Sequence, residues 1–270
     1  MEEAEGFVPV EGGRLYYREV GEGPPVILLH GGMMDHRMWD DQVPVLAPNH
    51  RVIRYDLRFH GRSDSQRIPF SDMEDLAVLM DSLDIPTATL VGLSLGGQVA
   101  MDLALTHPDR VASLVLVGPG LPGFPLESPE IIRHIEALTA AMDGGNFDEM
   151  EEVFIRGVCV GPFRESDELD PEVRSKILTM MKGSRARWGF HELIRPLDPP
   201  TMERVGEITA PTLLVLGLLD VPEMKGIVTY LNKQISNSRR VEIPSVAHMV
   251  NLEAPERVNE VLLEFLQGGP

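Results

Sequence analysis

Gly92-Leu93-Ser94-Leu95-Gly96 is the stretch that decides the fold of this chain. The apolar run Thr87 to Val91 precedes it, and a helix-like stretch, Gln98 to His107, follows. Between a strand and a helix, a sharp turn forces the central serine into a strained backbone conformation. Small residues on either side let strand and helix approach closely. This setting turns a serine into a nucleophile. The five residues alone are a weak pattern in a chain with 25 glycines, so their surroundings must carry the weight.

Outward from that turn, strand-like and helix-like segments alternate. Phe7 to Val10 and Arg14 to Arg18 form a predicted hairpin around Glu11-Gly12-Gly13. Val26-Ile27-Leu28-Leu29 is a continuous apolar run, as expected of a strand buried on both faces in a parallel sheet. Strand-like Arg51 to Tyr55 leads to helix-like Asp72 to Leu83, and Val111 to Val117 is a further strand. The alternation resumes with Thr212 to Leu216, a helix near Glu223 to Gln234, a strand near Arg239 to Ile243 and a final helix, Ala254 to Leu266. The expected fold is α/β, a mostly parallel central sheet with helices on both faces.

The interruption, residues 121–200, has helical periodicity. Ile131, Ile135, Leu138 and Met142 share one face, as do Phe147, Met150, Phe154 and Val158, and later Val173, Ile177 and Met180. Its borders are rich in Pro and Gly. The expected organisation is a core of residues 1–120 and 201–270, with 121–200 inserted as a helical cap. Such an insert would cover the carboxyl ends of the strands, where open α/β sheets hold ligands.

A serine nucleophile needs a base, a group that orients the base, and donors for the oxyanion. His248 lies just past the last strand, and Asp220 just past the strand before it. Both fall at the strand edge that carries Ser94, in the chain order Ser94, Asp220, His248. Glu223 is close enough to compete with Asp220. The segment from Gly118 to Gly123, after the Val111–Val117 strand, contains no acid. For the oxyanion, His30-Gly31-Gly32-Met33 ends the first buried strand. The Gly32 N–H is paired here with that of Leu95, and Met33 is the off-by-one alternative.

These segments resemble the α/β-hydrolase superfamily over essentially the whole core. The resemblance rests on His30-Gly31-Gly32, Tyr55-Asp56 with Gly61-Arg62-Ser63-Asp64, Gly92-x-Ser94-x-Gly96-Gly97, Gly217-x-x-Asp220 and His248. Within it, His36 to Asp40, Arg51 to Asp56 and His248 to Pro255 are similar to small bacterial esterases and 3-oxoadipate enol-lactonase-like proteins. Phe59 departs from the glycine usual in the Arg-Gly-His-Gly segment, with an expected effect on packing. The resemblance implies a serine hydrolase of carboxylic esters or lactones that works without cofactor. It also implies supporting roles for His30, Asp56, His60, Arg62, Ser63 and Asp64. C–C bond hydrolases, amidases and perhydrolases use the same triad. A hydrolase-derived receptor for small molecules is the alternative of another class.

Lys+Arg 24 against Asp+Glu 42 gives a net charge of −18, which disfavours nucleic acid and anionic membranes as partners. The expected partner is a small ester or lactone. The N-terminus shows no signal-peptide pattern and no apolar run spans a bilayer, so a cytoplasmic enzyme is expected. The lone Cys159 is expected to be a buried small hydrophobe. No metal is expected: His36, His50, His107, His134 and His191 have no ligand spacing, and belong to the surface or to packing.

The insert is split in charge. Asp143 to Glu172 holds ten acidic residues and two arginines, whereas Arg174 to Arg195 holds six basic residues against Glu192. Either the halves pair or face water, or Arg174, Lys176, Lys182, Arg185 or Arg187 receives an anionic substrate. Met33, Trp188 and Met249 are expected pocket residues, and Phe190 is expected in the pocket or cap packing.

Overall fold

The computed structural model describes residues 3–184 and 192–268. Among the described residues nine strands form one sheet: β1 (Ala4–Val10), β2 (Gly13–Val20), β3 (Pro25–Leu29), β4 (Arg51–Tyr55), β5 (Asp64–Ser65), β6 (Ala88–Leu93), β7 (Val111–Val117), β8 (Thr212–Gly217) and β9 (Ser238–Ile243). Their order is β1-β2-β4-β3-β6-β7-β8-β9, with β5 paired to β2. The hairpin strands β1 and β2 pair antiparallel, and β2 does so with β4 and β5. From β4 across to β9 every pairing is parallel.

The continuous apolar runs are explained by two cores, one on each face. Along β3, Val26 and Leu28 enter one core while Ile27 and Leu29 enter the other. The same alternation divides Val115 and Val117 from Leu114 and Leu116, and Leu213 and Val215 from Leu214 and Leu216. Successive side chains of a strand point to opposite faces, so both sets must be apolar when both faces are covered.

The helices are α1 (Val43–Leu46), α2 (Asp72–Ser82), α3 (Leu95–Thr106), α4 (Pro129–Asp143), α5 (Phe147–Phe154), α6 (Pro171–Gly183), α7 (Thr201–Arg204), α8 (Pro222–Gln234), α9 (Val250–Glu253) and α10 (Pro255–Gln267). One core is completed by α2, α3 and α8, the other by α10 with side chains of α4, α5 and α6. Among the described residues no helix is long and apolar enough to cross a membrane.

Between β7 and β8 the chain makes α4, α5, a π-helical turn over Ile155–Val160, α6 and the short α7. The helices α4, α5 and α6 each start on a side-chain cap. Ser128 accepts from Ile131 N, Asn146 from Glu149 N, and Asp170 from Glu172 and Val173 N. Proline in the first turn of α4 and α6 forgoes an N–H that would have had no helical partner. Met150, Phe154, Val173, Ile177 and Met180 are buried, as their periodicity predicts. Ile135 and Phe147 are not: they are 44% and 40% exposed. The inward face of α4 is set by Ile131, His134, Leu138 and Ala141, each three or four residues from the next, and Ile135 falls beside that stripe.

Candidate active site

Ser94 occupies the junction of β6 and α3 with φ 52° and ψ −112°. A non-glycine residue held there costs about 1–3 kcal/mol, so the surrounding chain must enforce it. Two close approaches do so. A Cβ on Gly92 would stand 2.4 Å from the Gly96 carbonyl, and one on Gly96 would stand 2.2 Å from the Leu29 oxygen. Only residues without a side chain let α3 fold back this tightly against β6 and β3. The Ser94 N–H bonds to Val117 O at 3.0 Å, and its carbonyl accepts from Gln98 and Gly120. Leu95 is the first residue of α3, so its N–H has no partner within the helix.

Asp220 and His248 follow β8 and β9, at the same sheet edge. Their loops are pressed together: a Cβ on Gly217 would stand 2.1 Å from Ala247 O. Both side chains are buried, and His248 Nδ1 lies 2.7 Å from Asp220 Oδ2. The carboxylate can only accept, so Nδ1 carries the proton and Nε2 is left as the basic nitrogen. The other Asp220 oxygen accepts from Val221 N at 2.7 Å. Burial works against an imidazolium, but the charge and hydrogen bond of Asp220, with Glu253 behind them, outweigh it. They raise His248 above its ordinary value. Glu223, the competing acid, instead accepts from Ser128 N at 3.2 Å.

Ser94, Asp220 and His248 all line one cavity of about 340 Å³. Gly32 and Leu95 are on its wall too, and a Cβ on Gly32 would meet nothing within 4 Å. The rest is mainly apolar, with Leu121, Leu126, Ile131, Phe154, Met224 and Met249 among its residues. Among the described residues no lysine or arginine lines it. Glu223 does, and its Oε2 is shut away from solvent without a hydrogen-bond partner among the described residues. A second hollow of about 650 Å³ shares Ile131, His134, Gly157, Val221 and Glu223 with it, and has charged walls at Glu130, Arg133, Glu152 and Arg156.

The sequence pattern of the alpha/beta hydrolase family matches residues 26–261. The chain belongs to the alpha/beta hydrolase family. It is 28% identical over 262 residues to a pimeloyl-[acyl-carrier protein] methyl ester esterase of Aeromonas hydrophila subsp. hydrophila, covering 91% of this chain and 96% of that one. A 2-hydroxy-6-oxo-6-phenylhexa-2,4-dienoate hydrolase of Burkholderia cepacia is 29% identical over 280 residues, covering 95% and 92%. The crystal structure of the enol-lactonase from Burkholderia xenovorans LB400 superposes with a TM-score of 0.77 at 27% identity, covering 97% of this chain and all of that one.

Several expectations need correction in this alpha/beta hydrolase. Met33 is not a pocket residue: its backbone is left-handed (φ 67°) and its side chain is buried in the core that holds Met34, Met38 and Trp39. Met249 does line the cavity. His134, expected at the surface or in packing, lines it as well, lying against Gly157, where a Cβ would stand 2.0 Å from its Nδ1. Its position on the apolar stripe of α4 was the available signal. Burial lowers the His134 pKa. Trp188, Phe190, His191, Arg185 and Arg187 lie outside the described residues. The described cations of the basic half are elsewhere: Arg174 pairs with Glu152 at 2.5 Å and Lys176 with Asp41 at 3.1 Å, and Lys182 is exposed and away from the cavity wall.

The supporting residues are engaged in structural bonds. Asp56 accepts from the His36 backbone and ring with one oxygen and from Arg62 N with the other, tying the loops after β3 and β4 together. Asp35, His36 and Asp56 bring three ligand-type atoms within 4.8 Å of one another. Asp35 there is already bonded to Arg37. His30 accepts from Leu57 N, and Ser63 bridges Asp56 O and Tyr16 N. Phe59 stands at φ 62°, which explains why glycine is usual there, and its ring packs edge-on to Phe70. Cys159 is buried, which raises its thiol pKa.

Proposed function

We propose that this alpha/beta hydrolase is a serine esterase for small neutral esters and lactones with an apolar acyl group. The observation that carries the reading is the meeting of Ser94 with the Asp220–His248 pair on one apolar cavity. His248 Nε2 takes the Ser94 hydroxyl proton as Oγ attacks the substrate carbonyl. Asp220 keeps the imidazole in the tautomer that can do this and stabilises the cation that results. The N–H groups of Gly32 and Leu95 hold the oxyanion, the latter reinforced by the positive end of the α3 dipole. Collapse expels the alcohol, which receives the proton from His248. Water, activated by the same base, then attacks the acyl-serine and frees the acid. The helices between β7 and β8 act as the cap over this cavity.

The walls support the substrate class. An apolar chamber desolvates an acyl chain at about 25 cal/mol per Å². Glu223 on the wall, with no lysine or arginine lining the cavity among the described residues, disfavours an anion, which weighs against a dienoate of the kind named for the Burkholderia cepacia relative.

The test is steady-state hydrolysis of short and medium p-nitrophenyl esters, a γ-lactone and an anionic enol-lactone by wild type and Ser94→Ala. Turnover of the neutral compounds, reduced about 10⁴-fold or more in the variant, is expected. Turnover that survives Ser94→Ala, or an enol-lactone preferred over every neutral ester, would sink the reading.

A further inference from the structure

The mechanism above leaves unused a buried ion pair next to the base. Arg164 comes from the segment after the π turn, and Glu253 ends α9. Their side chains are 7% and 6% exposed and meet at 2.6 Å. Charges so buried are costly unless other hydrogen bonds also engage them, and both partners here have such bonds. Arg164 donates to Val160 O at 2.9 Å and to Cys159 O at 2.7 Å. The other Glu253 oxygen accepts from Ala247 N at 3.0 Å, one residue before His248. The insert touches the second loop as well. Gly161 stands in a left-handed conformation (φ 77°), and a Cβ there would lie 2.4 Å from Leu219 O, one residue before Asp220. Neither Arg164 nor Glu253 lines the Ser94 cavity.

We propose that Arg164 and Glu253 are positioning residues for His248, an ion pair through which the insert holds the loop carrying the base. The inference rests on His248 acting as that base. Breaking the clamp loosens the imidazole without removing any group from the substrate's walls. It therefore acts on kcat and spares KM. Glu253 also acts through its charge, which favours the imidazolium. The charged and titratable groups around this spot are Asp220 from the β8 loop, Arg164 and Cys159 from the insert, and Arg174 from α6 beyond them. Glu223 and His134 line the same cavity as His248.

Three variants test this on a neutral ester. Arg164→Met is expected to lower kcat about 10–100-fold with KM changed by less than about threefold. Arg164→Lys should recover part of the loss, since a point charge replaces a fork that bonded two carbonyls at once. Glu253→Gln retains an acceptor for Ala247 N–H but loses the charge, so the acid limb of kcat/KM moves to lower pH. An NMR titration of the His248 ring, assigned with His248→Asn, should move the same way. The proposal is overturned if Arg164→Met only lowers Tm while kcat stays at the wild-type value. It is equally overturned if Glu253→Gln leaves both the limb and the NMR titration where they were. Should Arg164→Met fail to fold, Arg164→Lys and Glu253→Gln decide the matter. If no ester is hydrolysed by wild type, the esterase reading has failed, and the NMR titration still tests the coupling by itself.

Discussion

Asp102 lies two turns along α3 from Ser94, buried, with Thr201 Oγ1 donating to its Oδ1. Burial raises its pKa from 3.8 to about 6. The hydrogen bonds from Thr201 and Gln98 limit the rise, and Asp72 adds to it. The sign is opposite to that of a salt-bridged aspartate. A carboxyl whose folded pKa is raised stabilises the fold while protonated, below about pH 4, and that contribution is lost as pH rises through about 6. The gap between 3.8 and about 6, at ~1.36 kcal/mol per pH unit, amounts to about 3 kcal/mol at pH 8. About two thirds of it develops between pH 4.5 and 8, because the unfolded carboxyl is already largely ionised at pH 4.5. Asp102→Asn removes the ionisation, retains an acceptor for Thr201 and can turn its amide N–H toward Gln98. Urea unfolding of both proteins across this range should show the variant gaining about 2 kcal/mol on wild type from the acid end to the alkaline end. A stability difference that does not change with pH, or a variant that loses ground as pH rises, would refute the reasoning.

The acid limb of kcat/KM should lie above the ordinary histidine value of ~6.5, because the neutral base is required and Asp220 with Glu253 outweighs burial in favouring the cation. A rate flat across the limb with chemistry limiting would count against His248. Asp220→Asn should cut kcat by about 10⁴-fold through the wrong tautomer, read from the same profiles. Gly96→Ala, whose Cβ would stand 2.2 Å from Leu29 O, should cost about 3 kcal/mol or more, whereas Gly32→Ala should leave Tm nearly unchanged. Equal Tm losses in thermal melts would contradict that contrast. Lys176→Glu should leave KM unchanged for neutral and anionic esters, since Lys176 pairs with Asp41 at the surface. A KM that rises for the anion alone would return the basic half of the insert to the substrate.

The strands were legible because a parallel sheet covered on both faces demands unbroken apolar runs. Arg51–Tyr55 and Val111–Val117 fall on the residues expected, and Val26–Leu29 gains Pro25 alone. That Ser94, Asp220 and His248 would share one edge was legible for a related reason: each follows a strand of the parallel part of the sheet, and parallel strands bring their carboxyl ends to one edge. Periodicity stops at the face of a helix. It cannot say what covers that face, so Ile135 and Phe147 were expected inside and stand exposed, and His134 was passed over as a pocket residue. Whether Asp220 or Glu223 meets the imidazole depends on the path of one loop over three residues, and only the fold resolves that. The Arg164–Glu253 pair joins residues 89 positions apart across the insert and the core. No local pattern encodes such a contact, because it exists only once packing has excluded water from both charges.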